Sequence, residues 1–162
     1  MRDPARAFET APLEDVLALL LRQFKRLLAE RGTALADSDI EAIAHQAAAR
    51  NAADTRIPAI RAALVALVSE SEAVLSRWNL TFPQALDTGM DAIPGWETTA
   101  EFLDLASEKS NAEIRIAAGS VLLAALGDLR YRAYLTHLAA GDYDVDTIFA
   151  RRALAFVDGT NG

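Results

Sequence analysis

The chain has 162 residues, enough for one domain of ordinary size that buries a core without a metal or disulfide staple. Apolar residues make up 52% and charged residues 24%, and the formal net charge is −7, which leaves no basic surplus for nucleic-acid phosphates or an anionic membrane surface. With no cysteine, disulfides, thiolate catalysis and Cys-based zinc or iron–sulfur sites are excluded.

The acidity is spread along the chain, with 10 basic and 13 acidic residues up to position 95 and 6 and 10 after it. Alanine dominates the composition and tilts the whole chain toward helix. The opening MRDPARAFETAPLED has no apolar core of the signal-peptide kind, and no apolar run approaches the roughly 20 residues a membrane span needs. A cytoplasmic protein without cofactor is therefore expected.

Residues 1–10 read as a loose leader. Leu13, Leu17, Leu20, Phe24 and Leu27 then recur at four- and three-residue steps, one stripe of a helix that Pro12 opens and Gly32 closes. The pattern 38-SDIE-41 predicts a capping box, with Ser38 and Glu41 starting an Ala-rich helix to about Asn51. From 55-TRIP-58 onward, Ile57, Ile60, Leu64, Leu67, Ser71, Val74 and Trp78 keep a strict three-four step, the seam of a helical bundle. Ser71 puts a hydroxyl in that seam, most simply bonded to its own helix backbone. Residues 79–96 break the period with Pro83, Gly89, Pro94 and Gly95. A short helix from Phe82 to about Thr88, capped by 81-TFPQ-84, precedes a connector. That gives an N-terminal bundle subdomain over 11–95 and a second subdomain over 96–159, expected to form one continuous domain.

In the second part, 98-TTAE-101 and 110-SNAE-113 spell two more capping boxes, which predict a short helix near 99–108 and a new one over 112–126. The latter is apolar nearly all round. Ile114, Ala118, Val121 and Ala125 line one side, and Ile116, Ala117, Leu122, Leu123 and Leu126 cover others. Such a helix has to be enclosed, by its chain neighbours and the first-half bundle or, on its remaining face, by an oligomer partner. Helices near 129–140 and 145–158 follow, for eight helical segments and no sheet.

A shift of 32 residues lays Phe102 on Tyr134, Leu103 on Leu135, Ile116 on Ile148, Leu122 on Leu154 and Gly127 on Gly159. With that echo, 113-EIRIAAGSVLLAALGD-128 resembles the inner helix of HEAT-like repeats. There an acidic residue, an aliphatic and an arginine precede a small apolar run ending in Gly-Asp. The second copy departs from the motif, with Asp146 in the arginine's place and Arg151-Arg152 on the apolar face. The resemblance covers about 98–159. It implies an all-α fold in which the N-terminal bundle packs on HEAT-like antiparallel helix pairs, resembling an α-α superhelix. Such repeats commonly serve as binding surfaces.

No catalytic constellation accompanies these helices. His45 and His137 stand 92 positions apart without metal-ligand spacing, and Glu41 is placed to pair with His45 at i,i+4. No G-x-S-x-G surrounds a serine, and Ser120 reads as a small packing residue. Glu70 and Glu72 read as solvent-exposed on different faces. Glu101, Asp104 and Glu108 share one face, which reads as solvated before it reads as a site for a cation or a basic partner.

The expected role is a non-enzymatic protein-interaction or scaffold module. Arg115, Arg130, Arg132, Arg151 and Arg152, with Tyr131 and Tyr143, are the candidate protein-binding residues, because arginine and tyrosine supply binding hot spots. Pairing of those arginines with Glu113, Asp128, Asp142, Asp144 and Asp146 is the plainer alternative. A competing role is a small-molecule pocket at the subdomain junction, lined by Trp78, Phe82, Met90, Trp96 and Phe102. A structural homodimer built on the Ala-rich or the central helix is the third.

Overall fold

The computed structural model describes residues 7–77, 79–87, 100–141 and 145–159. Among them the chain is all helical: α1 (Ala7–Thr10), α2 (Leu13–Glu30), α3 (Asp37–Ala48), α4 (Ile57–Ser76), α5 (Phe82–Asp87), α6 (Ala100–Ala125), α7 (Arg132–Ala139) and α8 (Val145–Val157). Eight segments were expected, but two differ in kind.

Residues 7–10 are not loose. They form a helical turn docked on α8, where the Phe8 ring meets Phe149 edge-on at 5.1 Å. Arg152 donates to the carbonyls of Phe8 and Ala11 at 2.8 and 2.6 Å, so a cation from the far end of the chain closes the C-terminus of α1.

The second difference is α6, a single rod of 26 residues, about 39 Å long at 1.5 Å per residue. The turn expected near 108–112 is absent. No glycine or proline lies between Ala100 and Ala118 to stop the helix, and Glu113 pairs with Lys109 one turn back rather than capping a new start. The first unit of the 32-residue echo is thus one rod, while the second is two helices, α7 and α8, packed on each other.

The caps explain the other boundaries. In α3 the N-cap is Ala36, and the Asp39 carboxylate accepts from its backbone N–H at 2.9 Å, so the helix starts two residues before the predicted Ser38 cap. The Thr81 box forms as read: Thr81 N–H donates to Gln84 Oε1 at 2.9 Å, and Gln84 N–H to Thr81 Oγ1 at 3.4 Å. The α6 rod stops at Gly127, whose φ of 93° permits the Asp128 N–H to reach back to the Leu123 carbonyl at 2.8 Å.

One hydrophobic cluster joins both halves of the chain. It takes Leu17, Leu20, Leu21 and Phe24 from α2, Ile40 and Ile43 from α3, and Ile60, Leu64 and Leu67 from α4. From α6 and beyond it takes Ile116, Leu122, Leu123, Leu135 and Phe149. The rod α6 is its spine, lying along α4 and touching α2, α5, α7 and α8. Close approach depends on Gly119, where a Cβ would fall 2.6 Å from Val68 Cγ2 and 3.9 Å from Phe24 Cζ. Ser71 of α4 and Ser120 of α6 are buried and bond their own helix carbonyls, Leu67 at 2.8 Å and Ile116 at 2.6 Å.

Candidate functional site

The C-terminal half of α6 is enclosed as its composition demands, except at Ile114. Its side chain is 54% exposed, although the apolar run placed it on a buried side. It stands at a groove of about 360 Å³ between α2 and α6, lined by Gln23, Phe24, Arg26, Leu27, Asn111, Ile114, Arg115 and Ala118.

A second hollow of about 230 Å³ continues it toward α4, sharing Leu27, Asn111 and Arg115 and adding Arg31, Leu67, Glu70, Ser71, Val74, Glu108 and Ala112. Its carboxylates are neutralised. Glu70 is bound by Arg31, and Glu108 lies 3.4 Å from Arg77. In the outer part of the groove, Arg26 stands 3.7 Å from Glu30, with both side chains more than half exposed. Arg115, half-buried at the centre, makes no hydrogen bond or ion pair among the described residues, and neither do the Gln23 and Asn111 amides beside it.

The other candidate arginines are engaged. Arg130 lies 3.2 Å from Asp128, a pairing foreseen, and Arg132 lies 2.7 Å from Asp158. Arg151 Nε donates to the Ala139 carbonyl at 2.9 Å, which ties α8 to the end of α7. Burial depresses the affinity of Arg152 for its proton. Arg115 sits in the groove, Arg130 and Arg132 at the corner after α6, and Arg151 and Arg152 on α8. Tyr131 stacks on Tyr134 at 5.6 Å, and Tyr134 donates its hydroxyl to Glu72. Burial first, and then the Glu72 carboxylate, push the Tyr134 phenol well above its ordinary value. Tyr143 lies outside the described residues.

Of the junction set, Phe82 is fully buried and meets Tyr134 edge-on at 4.9 Å, so it is core rather than an open wall. Trp78, Met90, Trp96 and the side chain of Phe102 lie outside the described residues, as do the side chains of Glu101 and Asp104. A separate hollow of about 290 Å³ exists elsewhere, lined by Ala47, Arg50, Leu126, Gly127, Leu129 and Phe156 among others. Leu129 is 44% exposed at its edge. Arg50 adopts a φ of 58° that non-glycine residues seldom adopt, and its guanidinium lies 4.0 Å over the Phe156 ring and bonds the Phe156 carbonyl.

Glu41 pairs with Arg22 at 3.3 Å and His45 with Glu14 at 3.0 Å, across α2 and α3 rather than with each other. Glu70 and Glu72 point to different sides, but both are partnered, by Arg31 and Tyr134, rather than simply solvated. Among the described residues the densest ionic group is Asp39–Arg56–Asp54, at 2.9 and 2.8 Å. Hydrogen bonds from Arg56 hold the Asp54 carboxyl down to about 2, so it stays ionised and cannot act as a general acid near neutral pH. No group of three or more metal-ligating side chains occurs among the described residues, and no described helix is long and apolar enough to cross a membrane.

Sequence reasoning found Arg115 but missed Ile114 as an exposed residue, together with Gln23, Phe24, Arg26, Leu27 and Asn111. It also missed Lys109, which is 4% exposed, bound to Glu113 and donating to the Ala85 carbonyl at 3.4 Å. The register held a signal for Lys109. It falls on the stripe of Ala112 and Ile116, three and seven residues away, both buried.

No protein-family model matches the chain, and neither a curated protein nor a solved structure matches it.

Proposed function

We propose that this protein is a non-enzymatic, cytoplasmic all-α interaction module that docks another protein in the groove between α2 and α6. The observation that carries this reading is the pair Ile114–Arg115. A large aliphatic side chain stands more than half exposed beside an arginine with no partner among the described residues, over a floor of Phe24, Leu27 and Ala118. Covering the exposed half of Ile114 is worth on the order of 1 kcal/mol. A guanidinium already half out of water gains most from a partner that brings its own carboxylate. The resemblance of 113-EIRIAAGSVLLAALGD-128 to HEAT-like inner helices supports the same role, since such repeats present binding surfaces.

A photo-cross-linking residue placed at Ile114 in the source cell tests this, with the same residue at exposed His45 on α3 as control. A discrete protein adduct from position 114 only, lost on Arg115→Glu, is the expected result. Equal labelling from both positions, or none from 114, would count against the groove as a docking surface.

A further inference from the structure

Resting on that reading, we infer that the segment the groove receives is acidic and apolar: a short stretch of another protein that sets a carboxylate on Arg115 and one or two large aliphatic or aromatic side chains on Ile114, Phe24 and Leu27. The argument is one of charge distribution. The molecule carries a net charge of −7, yet no carboxylate lines the outer groove among the described residues, while Arg26 and Arg115 do. In the inner hollow the two carboxylates are matched by Arg31 and Arg77, so neither cancels Arg115. The half-buried Arg115 therefore makes a local positive site within a negative field. That arrangement draws an acidic segment to this one place and repels it elsewhere.

The remaining lining fits a peptide better than a free small anion. Gln23 and Asn111 each offer a donor and an acceptor at the rim, the pair of groups an extended or helical backbone presents. At about 360 Å³ the space takes a few side chains rather than a whole enclosed ligand, and it continues into the inner hollow through Leu27, Asn111 and Arg115.

The experiment is a selection of short random peptides displayed on phage against the full chain, followed by binding of the best synthetic peptides by fluorescence anisotropy. Arg115→Glu and Ile114→Asp serve as comparison proteins, their folding verified by thermal melting. Enriched peptides are expected to carry Asp or Glu within a turn of Leu, Ile or Phe. Replacing the peptide carboxylate by its amide should weaken binding about tenfold, as losing one charge-assisted contact does. Arg115→Glu should lose the acidic peptide and recover affinity for the same peptide with lysine in the carboxylate's place.

Peptides that depend on Ile114 but show no acidic preference would overturn the acidic partner while leaving the docking groove standing. No enrichment, or peptides indifferent to both substitutions, would overturn the groove itself. A dimer in sedimentation that Ile114→Asp dissociates would make a second copy the occupant and equally overturn this inference.

Discussion

Gly119 shows how much of the architecture one absent methyl group carries. In an exposed helix, alanine in place of glycine gains about 1 kcal/mol of helix propensity. Here the added Cβ lands 2.6 Å from Val68 Cγ2, deep in the contact of α6 with α4, where overpacking costs about 1–3 kcal/mol. Gly119→Ala is therefore expected to lower the urea midpoint despite its better propensity. A higher midpoint would mean that Val68 moves aside without strain. The exposure of Ile114 was not legible in the sequence, because it depends on how α2, α4 and α6 pack on one another. An apolar run with a single charge has no polar stripe from which to choose its wet side.

At the level of helices, legibility followed period and failed at local signals. The stripes of α2 and α4 were readable because burial on one face imposes a repeat that spans the whole element. The 110-SNAE-113 pattern misled because a capping box is a property of four residues, and it can sit inside a longer helix whose neighbours give it no reason to end. Contacts between distant segments left no local trace, and α1 is the clearest case. It is held by Phe8 on Phe149 and by the two carbonyls bonded to Arg152, more than 140 positions away. Arg152→Ala should release it, costing about 1–3 kcal/mol for the charged hydrogen bonds, reduced by their partial exposure. Hydrogen exchange of the amides of residues 8–11 should speed up while those of α4 stay protected. Unchanged exchange would show that the aromatic contact alone suffices.

For the molecule as a whole, the boundary drawn near residue 95 divides the chain but not its core. Leu64, Leu67 and Val68 of α4 share one cluster with Ile116, Leu122 and Leu123 of α6. A fragment ending at residue 95 is therefore expected to lack cooperative thermal unfolding. The full chain should melt in one transition seen alike by circular dichroism and tryptophan fluorescence. Two separated transitions would mean that the halves are independent after all. The all-α class was plain from composition and period, whereas the groove was not. It lies between helices whose groove-lining residues stand more than 80 positions apart, a relation that tertiary packing alone creates.

The placement of the spine helix late in the chain sets a schedule for biosynthesis. A ribosome adding about 5–20 residues per second completes α6 on the order of 3–10 s after it completes α4. Throughout that interval the nascent protein carries the α4 face around Leu64 and Val68 without the helix that will cover it. Slow translation through 77–125 lengthens the window in which that face can be held by a chaperone or lost to aggregation. The yield of folded protein should therefore respond to codon speed in this stretch more than in the stretch after Gly127.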